Sequence, residues 1–227
     1  KDYAVSAMQE LGEVIAHGIA IRPGKPAILA ASASPNQKGV IPMLGLPGYP
    51  VSGMLVMEEL FKPVVDLLTG RTGVQSEHCQ VEVSRRLTSS LKYKEHIRAT
   101  LGRVRGKLVA VPLNRGAGAV SSMVKADGII EVPQNVEGYE PGELVNVRLL
   151  RSMQEIERSL VITGSHDPLL DEIADLMKQR WPESRITSSH VGSMGGILAV
   201  KRGEAHLGGI HLLDEASGVY NISYLQR

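Results

Sequence analysis

Cysteine is almost absent from this 227-residue chain. Its one thiol, Cys79, leaves no partner for an internal disulfide and no cysteine cluster for a metal. That usage fits a reducing compartment, and the cytoplasm is the expected location. Aromatic residues are nearly as scarce, at 4%, which argues against a stacking platform for bases. Excess charge is missing too, since a formal net charge of +1 selects no partner by bulk electrostatics. No apolar run approaches the ~18 residues of a membrane span without a charge or a helix breaker, so no membrane partner is expected. Neither a secretory signal nor a natural start is visible; Lys1-Asp2-Tyr3 reads as the interior of a longer protein. Walker loops, GxGxxG patterns and a Ser-His-Asp spacing are likewise lacking.

What remains is ordinary soluble material, 43% hydrophobic and 22% charged, long enough to bury a core. Residues 1–74 read as α/β. Val5, Met8, Leu11 and Val14 keep a helical spacing, Ala27 to Ala31 forms an apolar strand, and Val51 to Leu68 resumes a helical pattern that Pro63 kinks or divides. From 75 to 150 the period drops to two, with turn signals between short strands, which predicts a small β-barrel or sandwich. Residues 151–158 are polar and read as a linker. A β-α-β-α-β alternation follows to 227, half of a doubly wound domain. There Asp167 and Pro168 open a helix whose buried face is Leu169, Leu170, Ile173, Leu176, Met177 and Trp181. Gly203 ends a second helix, and Ala205 to Leu213 forms the third strand.

Gly45-Leu46-Pro47-Gly48-Tyr49-Pro50-Val51-Ser52 is the most informative run, two glycines and two prolines between a strand and a helix. Such a turn brings backbone N–H groups and a helix N-terminus to one place, suited to an oxyanion or simply to a stiff connection. Lys25, set among Pro23, Gly24 and Pro26, is a lysine on a rigid loop and a sound phosphate ligand. In the third segment, Gly164-Ser165-His166-Asp167 and Gly192-Ser193-Met194-Gly195-Gly196 each lie between strand and helix. Together Ser165, His166, Ser193, Met194 and Gly195 either hold a tetrahedral oxyanion with neutral donors or cap two helices. His166, His190, His206, His211 and Asp214 lack metal-ligand spacing, so no metal site is expected. The stretch Arg85 to Arg115 carries nine basic residues against Glu95 alone; a solvated β surface accounts for it, and no nucleic-acid partner is expected.

Two groups of residues resemble a known family. Ile21-Arg22-Pro23-Gly24-Lys25-Pro26 with Gly45 to Ser52 is similar to the molybdopterin-binding domain of molybdopterin molybdotransferases, the MoeA and gephyrin E-domain family. Gly116-Ala117-Gly118 with Ser121 to Ile130 and Pro133 resembles that family's C-terminal β-barrel domain. Gly164 to Pro168, Val191 to Gly196 and Gly209 to Asp214 resemble the periplasmic-binding-protein-like domain fused to some bacterial members.

The resemblance implies that molybdate is inserted into adenylylated molybdopterin with release of AMP, with magnesium required. The alternative is a molybdate or tungstate sensor on a transferase-derived scaffold. Lys25 and Ser52 would act in catalysis. Pro23, Gly24, Gly45, Pro47, Gly48 and Pro50, with Ser121 and Ser122 from the barrel, would surround the cofactor. A homodimer is implied as well. Tyr49 stands where the family usually carries Asn. The family's magnesium-binding carboxylates precede the matched region, and the third segment reads as one lobe, with Tyr220-Asn221 starting the crossing to a second.

Overall fold

The computed structural model describes residues 3–34, 39–73, 76–113, 115–116 and 120–226. Helix α1 (Ala4–Leu11) leads into β1 (Glu13–His17), followed by the two-residue β2 (Ile21–Arg22), then β3 (Ile28–Ala33) and β4 (Val40–Gly45). Strands β1, β3 and β4 form an antiparallel sheet in that order. Val14 was expected on the first helix. Gly12 ends that helix, and Val14 instead pairs with Ala30 in the β1–β3 ladder.

The helix after the Gly/Pro turn runs as α2 (Pro50–Val56), a π-turn over Met57–Phe61, and α3 (Lys62–Thr69). Pro63 has no N–H to give, so the regular bond to residue 59 is lost and the chain widens just before it. The division expected at Pro63 is therefore present. One consequence matters below: the π-turn carries Glu58 and Glu59.

Next come β5 (His78–Val83), β6 (Leu87–Thr88), β7 (Lys94–Val104), β8 (Lys107–Pro112), α4 (Val120–Lys125), β9 (Gly128–Val132), β10 (Gly138–Tyr139) and β11 (Leu144–Leu149). Five of them close into a barrel in the order β7-β8-β5-β11-β9, with β9 pairing back to β7. Alternation decides what lies inside. Ile97, Ala99 and Leu101 of β7 meet Val81, Val83, Ile130, Val132, Val145 and Val147 in a fully buried core. The first segment is stitched on by β2, which runs parallel to β7 with Ile21 opposite Lys94. Val51 and Leu55 of α2 also pack on Ile129 of the barrel.

Residues 151–158 are not a loose linker. They form α5 (Met153–Glu157) with a reciprocal capping box between Ser152 and Glu155, and Ile156 is fully buried against the barrel core. The remaining elements are β12 (Ser159–Gly164), α6 (Leu169–Arg180), β13 (Arg185–His190), α7 (Gly192–Arg202), β14 (Leu207–Gly209) and α8 (Ile222–Leu225). The three strands are parallel in the order β13-β12-β14, the expected half of a doubly wound sheet. Gly203 ends α7 in the left-handed conformation, as expected.

Two expectations fail here. The third strand covers only Leu207–Gly209 of Ala205 to Leu213, because the chain leaves the sheet at Ile210 to bring His211 back over β12 and α7. The supposed buried face of α6 is open, with Leu169 61%, Leu176 62% and Trp181 54% exposed. Its neighbour β13 is the edge of a three-stranded sheet, so the helix finds little to cover.

Candidate functional site

A cavity of about 330 Å³ opens where the first segment meets the barrel. Three parts of the sequence wall it: the loop Arg22 to Pro26, the start of the α2 helix with Tyr49 and Ser52, and the β7 stretch Glu95 to Arg98, with Arg115 beside it. The loop is held tightly. The Arg22-Pro23 peptide is cis, and Gly24 has φ +133°, where a Cβ would come within 2.8 Å of Val56 on the back of α2. Lys25 itself is exposed, its Nζ 5.8 Å from the ring centre of Tyr93.

The electrostatics are organised around Glu95, which is 2% exposed. Its Oε2 lies 3.0 Å from Arg115 and its Oε1 3.4 Å from Arg22, and Ser90 N–H donates to Oε1 at 3.3 Å. Arg98 is buried on the same wall and donates to the Gly116 carbonyl at 3.1 Å, and burial lowers its pKa from the usual guanidinium value. Four cationic side chains thus line the cavity against one carboxylate that two of them already engage. The wall suits an anion.

Of the residues singled out in the sequence, Pro23, Gly24, Lys25 and Ser52 line this cavity. Gly45 sits opposite Ile28 in the β3–β4 ladder. Pro47 is buried, Gly48 and Pro50 are exposed, and these four shape the turn without lining the cavity. Ser121 and Ser122 lie on α4, which packs beside α2 through Met123, and neither lines the cavity. Ala117 and Gly118 lie outside the described residues. Sequence reasoning passed over Arg98, Arg115 and His96, because it read the basic stretch as a charge sum; the burial of β7 on both sides was the missing signal.

Just outside the cavity, the π-turn meets the outer face of the barrel in a charged cluster. His96 Nε2 lies 3.2 Å from Glu59 Oε1, Lys94 Nζ 3.0 Å from Glu59 Oε2, and Arg148 2.8 Å from Glu58 and 3.3 Å from Glu131. The His96 hydrogen bond, reinforced by Lys94, outweighs burial and holds the Glu59 carboxyl at about 2. Glu59, His96 and Glu131 place one donor atom each within 4.8 Å of the others, yet Lys94 and Arg148 already bind these carboxylates. Nor does the cavity suit magnesium, which prefers an octahedron of oxygens, because its carboxylate Glu95 is engaged on both oxygens. The magnesium implied by the resemblance has no fitting donor set among the described residues.

The two loops of the third segment do converge. At the carboxyl ends of the parallel strands, Ser165 Oγ and Ser193 Oγ are 2.7 Å apart, and His211 N–H donates to Ser193 Oγ at 2.8 Å. Strand order reverses at β12, so this is the crevice where doubly wound sheets hold ligands. Two hydroxyls sharing one hydrogen bond leave one O–H proton free to donate. His166 stacks on His190 at 4.1 Å, and burial followed by His166 lowers the His190 pKa. Met194 is exposed, Gly195 rests against Val191, and Asp167 Oδ1 caps the Leu169 N–H at 2.8 Å. His206 is structural: Nδ1 accepts from Val161 N–H at 2.9 Å and Nε2 reaches the Arg103 carbonyl at 3.0 Å.

Comparison with known proteins finds matches to three stretches of the chain. Residues 1–66 match the family model described as "Probable molybdopterin binding domain", 80–150 the MoeA C-terminal region (domain IV), and 174–227 a PBP superfamily domain. A Methanocaldococcus jannaschii protein named for molybdopterin biosynthesis is 36% identical over 66% of this chain and 33% of its own length. The molybdopterin molybdenumtransferase of Bacillus subtilis is 24% identical over 66% of this chain and 34% of its own. Among solved structures, the molybdopterin biosynthesis MoeA protein of Pyrococcus horikosii superposes with a TM-score of 0.51 at 36% identity, over 65% of this chain and 34% of that one. The chain spans about a third of the length of these relatives. The cavity therefore lies between the stretch that matches the molybdopterin-binding domain model and the stretch that matches the MoeA C-terminal region, and the match to a PBP superfamily domain follows them in the same chain.

Proposed function

We propose that the protein acts in molybdenum cofactor biosynthesis, transferring molybdate into adenylylated molybdopterin with release of AMP. The observation that carries this reading is the cavity itself: four cationic side chains from two domains, Arg22, Lys25, Arg98 and Arg115, around a volume of about 330 Å³. In such a reaction the protein's task is to position the reactants and neutralise a phosphate leaving group. Lys25 is the exposed cation, on a rigid loop, and Arg98 is the buried one. Ser52, 3% exposed, is the hydroxyl donor on the α2 wall. Pro23 and Gly24 shape the same wall. Gly45, Pro47, Gly48 and Pro50 hold the turn in place, and Ser121 and Ser122 are assigned to the cofactor from the α4 side. Domain boundaries near 74 and 150, a cytoplasmic location and a homodimer belong to the same reading.

The test is turnover by the full-length protein. Lys25→Ala is expected to lower kcat/KM for adenylylated molybdopterin at least tenfold, with the melting temperature unchanged. Unaltered turnover in that variant would remove the cavity from the reaction.

A second reading has its own support in the Ser165–Ser193 contact at the switch point of the third segment. There the chain would bind molybdate or tungstate, as a feeder or a sensor. Calorimetric titration with molybdate, tungstate and sulfate separates the cases. Binding that favours molybdate over sulfate and vanishes in Ser165→Ala plus Ser193→Ala supports an oxyanion site. Binding unaffected by the pair returns both serines to helix capping.

A further inference from the structure

A second cavity, of about 610 Å³, opens between the barrel and the third segment. Its walls come from the end of α4, from α5 and its flanks, and from α6 with the turn into β13. Behind them lies Asp127, which has no exposed surface. Asp127 Oδ2 accepts from Leu101 N–H, while Oδ1 engages both Arg185 and Arg151, whose Nε is 3.1 Å away. One carboxylate oxygen thus holds two guanidiniums side by side. Both line the cavity, with 30% of the Arg151 side chain and 26% of the Arg185 side chain still exposed.

Most of their donors are unspent. A guanidinium carries five N–H bonds. Arg185 gives one to Asp127, and no other acceptor engages its side chain among the described residues. Arg151 gives one from Nη2 to the Val124 carbonyl at 2.9 Å, and its Nη1 is 3.9 Å from Glu155, too far for a hydrogen bond. The other charges of the wall do not consume these donors. Arg158 pairs with Glu183, and Glu155 is taken up by the capping box with Ser152. Lys125 and Lys178 have no ion-pair partner among the described residues, and Asp175 is the one carboxylate of the wall in the same position.

We propose that this cavity binds a small anion carrying a pyrophosphoryl group, with Arg151 and Arg185 on one phosphoryl and Lys125 and Lys178 on the other. Guanidiniums fixed by a buried carboxylate present their N–H pairs to phosphate oxygens, and lysines add point charges. A single phosphate would leave half of these cations unmet in a volume of this size. The proposal goes beyond the function assigned to the first cavity, since the two share no lining residue.

The experiment is calorimetric titration of the full-length protein with inorganic pyrophosphate, and with sulfate as the smaller anion. Lys125→Ala plus Lys178→Ala removes two unpaired charges and leaves the Asp127 cluster whole. Arg185→Gln removes one guanidinium, and Lys25→Ala is the control at the first cavity. Wild type is expected to bind pyrophosphate about tenfold more tightly than sulfate. The lysine pair and Arg185→Gln are each expected to weaken pyrophosphate binding about tenfold, the worth of one charge-assisted hydrogen bond, and Lys25→Ala to leave it as it was. Unchanged affinity in the lysine pair overturns the proposal. Loss of the same affinity in Lys25→Ala places the anion in the first cavity and also overturns it, as does a wild type that binds pyrophosphate no better than sulfate. If Arg185→Gln does not fold, the lysine pair decides alone. Turnover in Lys25→Ala bears on the first cavity only, so either reading can fail while the other stands.

Discussion

Glu59 shows how much one side chain depends on where the helix puts it. In a regular α-helix Glu58 and Glu59 would diverge by ~100° around the axis. The π-turn at Met57–Phe61 widens that stretch, and both carboxylates reach cations on the barrel, Arg148 and Lys94. The Glu59 pKa falls from 4.5 to about 2 in the folded protein, so its stabilisation is present above 4.5 and is lost as pH drops toward 2. Urea unfolding of wild type and Glu59→Gln should therefore differ most at pH 7, and the gap should shrink at pH 4. A gap that does not change with pH would contradict the charged cluster. Asp127 makes a parallel case. It is 0% exposed, accepts from Leu101 N–H at 2.9 Å, and pairs with Arg151 at 3.1 Å and with Arg185. Asp127→Ala leaves two guanidiniums without their carboxylate and is expected to cost about 3 kcal/mol or more, read by denaturant unfolding.

At the scale of elements, α5 is the clearest case of what composition hides. Seven of the eight residues from 151 to 158 are polar, charged or methionine, which reads as linker. The eighth, Ile156, is fully buried against the barrel core, and the Ser152–Glu155 capping box starts the helix that places it there. Ile156→Ala should destabilise the protein by about 3 kcal/mol in urea unfolding, where a true linker residue would cost under ~0.5 kcal/mol. The barrel strands were legible because their alternation is strict and one face is wholly apolar, as in Val81–Val83 and Val145–Val147. The Pro63 break was legible because proline lacks a donor. The basic stretch was not, because its counter-charges come from distant segments: Glu59 for Lys94, Glu82 for Lys107, Glu140 for Arg86, Glu157 for Arg103. Local sequence shows a charge run where the fold has a set of pairs. The same distance effect hid half of the cavity. Lys25 and Ser52 announce themselves within short motifs, while Glu95 and Arg98 acquire their meaning only where β7 meets the first segment around the cavity.

For the molecule as a whole, the barrel is the hub. The first segment sits on it through Val51, Leu55 and Ile129, and the third through Val161, Ala199 and Ala205 against Val104, Val109 and Val111. The second contact depends on a missing side chain. A Cβ at Gly102 would lie 2.2 Å from Val161 Cγ2, so β7 admits β12 only where it carries glycine. His206 locks the same seam by bridging Val161 N–H and the Arg103 carbonyl. A bulky residue at 102 should pry the third segment from the barrel without touching either core. The single tryptophan, Trp181, follows α6 of that segment, so it reports on the third segment alone. In wild type, urea transitions followed by Trp181 fluorescence and by far-ultraviolet circular dichroism should coincide, as a joined core requires. In Gly102→Leu the fluorescence transition should move to lower urea and separate from the dichroism. Gly39→Leu, at a position with open space around it, should leave them together. Coincident transitions in Gly102→Leu would mean that the seam accommodates a side chain at 102, and that the close approach of Gly102 to Val161 is not what joins the third segment to the barrel.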